Sequence, residues 1–290
     1  MGIKKRGGLK NEIKDIERRK FIKTMLFGGT GLVVASYPFF IERYLVWINH
    51  YNIPVANLPS PFEGFTIVHL SDLHFGFLVP RAVIQWVVNK ANTLQKDIIV
   101  CTGDYVHENN ATEQIDQVWP ILSQLSAPQG VYTVLGNHDH WADTERSLYW
   151  MRKSGQDLRH KAIPIERNGQ CIWLGGTGDL WEDNLLIDPT FEGIPARGCK
   201  ILLAHNPDTA DTDFNTRIDL FISGHTHGGQ VRIPFYGAPI LPVNNKRYTS
   251  GYIRTDKTAL FISRGIGWAH LPVRFNCPPE IAVLHLTTEK

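Results

Sequence analysis

Five short stretches of this chain bring carboxylate, imidazole and amide side chains together at spacings that suit a metal centre. Asp72-Leu73-His74 sets a carboxylate and an imidazole two residues apart, and residues i and i+2 of an extended segment point the same way, so the pair can grip one ion. His225-Thr226-His227 repeats that spacing in a glycine-flanked turn, Gly224 to Gly229. Asp104, after Gly103, can bridge two ions with its two oxygens. Asn137, after Gly136, offers a neutral oxygen, and His205 closes an apolar run and adds a nitrogen. A mixed nitrogen and oxygen set suits Mn, Fe, Zn or Co better than Ca or Mg, which favour oxygen shells. Taken singly, a D-x-H pair is ordinary on a surface and Gly-Asn-His-Asp is an ordinary turn. Their joint occurrence, each at the end of an apolar run, carries the reading.

Side chains so far apart in sequence meet only if the runs before them are strands ending at one edge. Phe65 to Leu70 runs into Asp72, Asp97 to Cys101 into Asp104, and Gly130 to Leu135 into Asn137. Between them, Arg81 to Leu94, after Pro80, and Glu113 to Leu125 have helical apolar spacing. Strand, helix, strand, helix, strand implies a parallel sheet with ligands at its C-terminal edge. The second half is richer in strands, with Cys171 to Gly175, Lys200 to Ala204, Asp219 to Ser223, Ala259 to Ser263 and Ile281 to Leu286 as candidates. Two sheets packed face to face with helices outside accommodate them. Arg232 to Gly251, dense in Pro, Gly and Tyr, reads as a long surface loop of the kind that shapes substrate pockets.

The ordered set Asp72/His74, Gly103-Asp104, Gly136-Asn137-His138-Asp139, His205 and Gly224-His225-Thr226-His227 resembles the calcineurin-like metallophosphoesterase superfamily over about residues 65 to 286. Gly228-Gly229-Gln230 and Ser71-Asp72-Leu73-His74 look most like its YaeI/YkuE-type branch of exported or membrane-associated phosphodiesterases. The resemblance implies an α/β fold, a four-layer α/β/β/α sandwich of two mixed sheets, in a domain spanning 65–288. It implies two divalent metal ions, with Mn favoured. Asp72, His74, Asp104 and His227 would hold one; Asp104, Asn137, His205 and His225 would hold the other. A metal-bridging hydroxide would then cleave a phosphodiester or pyrophosphate, with His138 protonating the leaving group. Phosphatase relatives often read G-D-x-V-D, the last Asp orienting that histidine, whereas this chain has His107 there. The orientation of His138 then falls to another group, Asp139 or solvent.

Charge is split along the chain. Residues 1–23 hold nine Lys or Arg against three acids, which leaves the rest at about −4 from a total of +2. A mildly acidic body lacks the broad positive field of a nucleic-acid binder, so no bulk nucleic-acid binding is expected. After the basic segment, residues 24–42 form an apolar anchor or signal, preceded by a twin-arginine-like Arg18-Arg19. Residues 43–64 read as a linker. With the positive flank kept inside, the catalytic body lies outside the cytoplasmic membrane. The expected partners are the membrane and a phosphoester substrate, lipid-linked or otherwise part of the envelope, and the chain is expected to act as a monomer. Two other functions fit the same fold, a binding module without turnover and a nuclease. Turnover with added metal separates the first from an enzyme, and salt-sensitive DNA cleavage would indicate the second. Cys101, Cys171, Cys199 and Cys277 show no metal-site or disulfide spacing and read as small buried residues.

Overall fold

The computed structural model describes residues 17–25, 27, 36–76, 78–269 and 271–289. Its strands are β1 (Trp47–Val55), β2 (Thr66–Leu70), β3 (Ile98–Cys101), β4 (Val131–Thr133), β5 (Lys161–Arg167), β6 (Gln170–Gly176), β7 (Cys199–Leu203), β8 (Leu220–Ser223), β9 (Gly251–Arg254), β10 (Ala259–Ile262) and β11 (Glu280–Thr288). Within the domain its α-helices are α1 (Arg81–Thr93), α2 (Thr112–Leu122), α3 (Asn137–Ser154) and the single turn α4 (Ile187–Thr190), and residues 17–25 and 36–40 ahead of it are also helical.

Two mixed sheets result, ordered β1-β11-β2-β3-β4 and β5-β6-β7-β8-β10-β9. β2, β3 and β4 are parallel and joined through α1 and α2, as the alternation of apolar runs requires. Successive residues of a strand face opposite sides, so each sheet sends alternate side chains into a different layer. Ile67, Ile98 and Val100 meet Ile172, Leu174, Ile201, Leu203, Ile222 and Phe261 between the sheets. Val68, Leu70, Ile99 and Cys101 face α1, α2 and α3, where Val87, Val88, Ile115, Val118 and Trp119 are buried. On the far side of the second sheet, Leu202, Phe221, Leu260 and Ile262 pack against Ile187, Phe191, Ala210 and Tyr248. That fourth layer is thin, built from α4, a 3-10 turn at Pro207–Asp211 and loops.

The stretch 43–64, expected to be a linker, is part of the domain. β1 pairs in parallel with β11 along its whole length, from Trp47 opposite Glu280 to Val55 opposite Thr288. As an edge strand it buries only its last inward residues fully, and Asn49, His50 and Asn52 break its apolar pattern. Residues just before it are stitched to the chain leading into β11. Arg274 N donates to Pro38 O (3.1 Å), Trp47 N to Pro279 O (2.8 Å) and Cys277 N to the buried Glu42 carboxylate (2.7 Å). Much of the basic segment and apolar run, residues 1–16, 26 and 28–35, lies outside the described residues. Among the described residues no helix is long and apolar enough to cross a membrane. The four cysteines are free, with Cys171 half-buried and the others buried.

Candidate metal centre

The seven expected ligands arrive at one place from five strand ends. β2 delivers Asp72 and His74, β3 delivers Asp104, β4 delivers Asn137 at the start of α3, β7 delivers His205, and β8 delivers His225 and His227. Each strand stops where its last residue passes the sheet edge and the backbone turns sharply. Asp72, His74, Asp104, His225 and His227 all sit in left-handed backbone, with φ of 54°, 47°, 56°, 69° and 51°. Such conformations are uncommon for residues with a Cβ and cost roughly 1–3 kcal/mol each, a strain typical of functional sites. Two glycines allow the approach. A Cβ on Gly136 would collide with Asp104 Oδ1 and His205 Nδ1, and one on Gly224 with Ser71 Oγ and Asp72 Oδ2.

Two groups of donors face each other across Asp104. In the first, His74 Nε2 lies 2.9 Å from His227 Nε2 and 3.5 Å from Asp104 Oδ2, and His227 Nε2 lies 3.5 Å from Asp72 Oδ1. In the second, His205 Nε2 lies 3.1 Å from His225 Nδ1 and 3.2 Å from Asp104 Oδ2. The second group is fixed from behind. His205 Nδ1 donates to Thr102 O (2.7 Å) and His225 Nε2 to Pro242 O (2.9 Å), so the opposite nitrogen of each ring turns inward. Such carbonyl partners set the tautomer that a metal needs. Asn137 Oδ1 is buried with no hydrogen-bond partner, an acceptor awaiting a cation. The donor set therefore fits divalent metal.

Electrostatics agree. Burial holds His74 and His227 well below the usual imidazole range and His225 at about 3, with Arg274 adding to the shift of His227 and His205 to that of His225. They are thus neutral bases, the ligand form. Burial pushes Asp72 up to about 6, with Asp104 adding to the shift. Burial would also raise Asp104, but His205, His138 and His74 hold it well below the carboxylate range. Burial pulls His205 down, yet Asp104 and the carboxylates behind it lift it to about 10. Asp104 thus attracts positive charge into the pocket, and a metal binding there displaces the His205 proton.

His138 stands beside this cluster, its ring edge-on to His74 at a centroid distance of 4.7 Å. Its backbone N–H donates to Asp104 Oδ1 (2.9 Å) and its Nδ1 to the carbonyl of His107 (2.7 Å), so neither bond uses Nε2. Asp139 does not orient it. Both Asp139 oxygens are taken by backbone N–H groups of Asp104, Tyr105 and Gly136, where they cap α3 and brace the metal loop. The departure at position 107 thus replaces a side-chain contact with a backbone one. The His107 ring faces His74, with Nδ1 to Nδ1 3.2 Å, so His74, His107 and His138 form a third close group.

Two tryptophans line the mouth, Trp141 against His138 (4.6 Å between centroids) and Trp181 against His225 (4.6 Å). Neither motif nor periodicity marks them. His140 makes a local bond to Thr144 and stays outside the donor groups. Arg264 is paired with Glu280 (2.9 Å), and the buried Arg274 donates to the carbonyls of Arg264, Gly265, Gly267 and Cys277. His69, His160, and the His50–His285 pair make structural contacts, while His270 lies outside the described residues.

The family model for calcineurin-like phosphoesterases matches residues 65–229, which contain all seven donors and His138. The chain belongs to that family. This phosphoesterase is 32% identical over 289 residues to the uncharacterized metallophosphoesterase YkuE of Bacillus subtilis, covering 94% of the chain and 99% of YkuE. It is 32% identical to the phosphodiesterase YaeI of Escherichia coli, over 93% of the chain and 99% of YaeI. Among solved structures, TT1561 of Thermus thermophilus aligns with 70% of the chain and 90% of its own, at 11% identity and a TM-score of 0.46. As a member of the family, the phosphoesterase depends on divalent metal.

Proposed function

We propose that this phosphoesterase hydrolyses phosphodiester or pyrophosphate bonds with two divalent cations, Mn favoured. Asp72, His74, Asp104 and His227 hold one, and Asp104, Asn137, His205 and His225 the other. The observation that carries the reading is the pair of donor groups on either side of Asp104, in which ring nitrogens converge within 3.5 Å of one another and of carboxylate oxygens while a buried Asn137 oxygen has no partner. Bound there, such ions supply Lewis acidity toward phosphoryl oxygens and a water acidic enough to attack near neutral pH.

The chain's own groups do the rest. Asp104 and Asp72 supply the negative charge that holds the cations in place. His138, fixed at Nδ1 by the His107 carbonyl, carries a proton on Nε2 to the leaving oxygen as the P–O bond breaks. Trp141 and Trp181, packed against His138 and His225, offer the substrate apolar walls. The name of YaeI supports a diester over a monoester. The basic and apolar N-terminal pattern supports attachment to the membrane, with the body outside the cytoplasmic membrane and a lipid or envelope-derived substrate.

Turnover of bis(p-nitrophenyl) phosphate with added Mn tests the catalytic reading. Wild type is expected to turn over, and Asp104→Ala to be inactive because both groups lose their shared ligand. His138→Ala is expected to lose about 10²–10⁴-fold in kcat while retaining metal. No turnover with any divalent metal would instead make the chain a binding module.

A further inference from the structure

The surface beside the metal centre carries exposed apolar residues that no described part of the chain covers. Residues 233–237 form a tight hairpin, closed by Ile233 N to Gly237 O (2.9 Å), with Pro234-Phe235-Tyr236 at its tip. Phe235 adopts a left-handed backbone (φ 69°) and its ring is fully exposed, and Tyr236 and Ile240 are each about three-quarters exposed. An aromatic ring held out at a strained tip has no role in the core. Soluble surfaces seldom gather several such groups unless something covers them.

The patch continues across two neighbouring segments. Arg232 N donates to Phe275 O (2.8 Å) and Phe275 N to Gln230 O (2.9 Å), which ties the hairpin to the loop carrying the exposed Leu271. That loop in turn holds residues 38–43, through Arg274 N to Pro38 O (3.1 Å) and Arg43 Nη1 to Pro272 O (3.0 Å). Phe39, Phe40 and Ile41 are exposed there, and they are the last residues of the apolar run that begins at Thr24. The apolar run therefore joins the domain on the same face as the hairpin.

Charge on this face is positive. A cavity of about 520 Å³ behind the hairpin is lined by Tyr236, Ala238, Ile240, Leu241, Arg232 and Lys246. Its lining residues Thr249 and Ala238 rest on the His225–Gly229 loop, since Thr226 Oγ1 donates to Thr249 O (2.6 Å) and Ala238 packs on Gly229. On the cavity wall Lys246 Nζ donates to the carbonyls of Leu241 (2.9 Å) and Val243 and Arg232 Nη1 to Ser250 Oγ (3.4 Å), neutral partners that leave both charges uncompensated, whereas Arg264 is paired with Glu280 and Arg274 is buried among backbone carbonyls.

We infer that this face docks on an anionic phospholipid bilayer, the hairpin tip and Phe40 entering the interface while Arg232 and Lys246 meet lipid phosphates. Apolar groups flanked by cations are what such an interface selects. The inference rests on the membrane-attached reading above and adds to it a second contact, one that turns the metal centre toward the lipid surface.

An environment-sensitive fluorophore on Phe235→Cys, in the full-length chain with vesicles of phosphatidylcholine and phosphatidylglycerol carrying a lipid-borne quencher, tests it. The control label sits on Lys257→Cys, an exposed position before β10 and so at the sheet edge away from the metal centre. The position 235 label is expected to blue-shift and be quenched and the position 257 label to do neither, with bis(p-nitrophenyl) phosphate turnover retained in both. A chain that sediments with the vesicles while its position 235 label stays in water would overturn the docking inference and leave the membrane reading standing. A chain that fails to sediment would overturn both.

Discussion

His107 shows how much a single position can decide. Its carbonyl fixes His138 and its ring abuts His74, so one residue holds the proposed proton donor through the backbone and a proposed metal ligand through the side chain. His107→Ala leaves the first contact and removes the second, together with the stacking of the ring on His138 (5.0 Å between centroids). Loss of a group that orients a metal ligand costs about 10–100-fold in affinity, so Mn titration of this variant is expected to show a weakening of that size. Unchanged Mn affinity would mean that the ring is incidental. The convergence of these seven side chains was legible in the sequence because each is a chemically distinctive residue just after an apolar run. The support of His138 was not, because a backbone carbonyl leaves no trace in residue identity. Trp141 and Trp181 escaped for a related reason, since a lone tryptophan reads equally well as core.

At the scale of elements, the central strands and the edge strand β4 were legible, and the edge strands β1, β5 and β9 were not. β2, β3, β7, β8 and β10 are buried on both faces and read as nearly continuous apolar runs, interrupted only by single residues such as His69 and Lys200. β1, β5 and β9 lie at or beside water at sheet edges, and β5 even contains Pro164, which an edge tolerates. α3 was missed because its sequence is strongly polar and it is broken by an extended Asp143, with Asp139 spent on the metal loop. β1 is held through Glu280 at the start of β11, whose buried carboxylate accepts from Asn49 (2.6 Å), Tyr51 (2.7 Å) and Arg264 (2.9 Å). Breaking a buried charged network in this way costs about 3–5 kcal/mol. Glu280→Ala is therefore expected to lower the urea midpoint by a corresponding amount, and an unchanged midpoint would show that β1 does not depend on it. Gly136→Ala tests the packing of the ligand loops. The added methyl displaces Asp104 or His205, and the variant is expected to fold but to bind Mn poorly.

For the whole molecule, the metal centre joins strand ends from both sheets, so a bound cation clamps them together. At a free Mn concentration 100 times Kd, one site adds about 2.7 kcal/mol, which for a chain of this size raises Tm on the order of 5–10 °C. The pH dependence follows from linkage. His74, His225 and His227 have folded values below the usual 6.5, so they favour the fold above that pH and weaken it as pH falls. His205, raised to about 10, acts oppositely; the stability it lends is complete below 6.5 and is lost as pH rises toward 10. Above 6.5 the metal-free chain therefore loses stability with rising pH, while metal, which competes with the His205 proton, binds more tightly. Calorimetry is expected to show the Tm gain from Mn widening as pH rises above about 6.5. A gain that shrinks over that range would count against the electrostatic account.

The central claim is that seven side chains from five strand ends hold two cations sharing Asp104. Anomalous diffraction at the Mn edge, from crystals grown with Mn, tests it most directly. Two peaks about 3.5–4 Å apart are predicted, a spacing typical of two-metal sites. One should lie among Asp72, His74 and His227, the other between His205 and His225. A single peak, or peaks away from Asp104, would contradict the account.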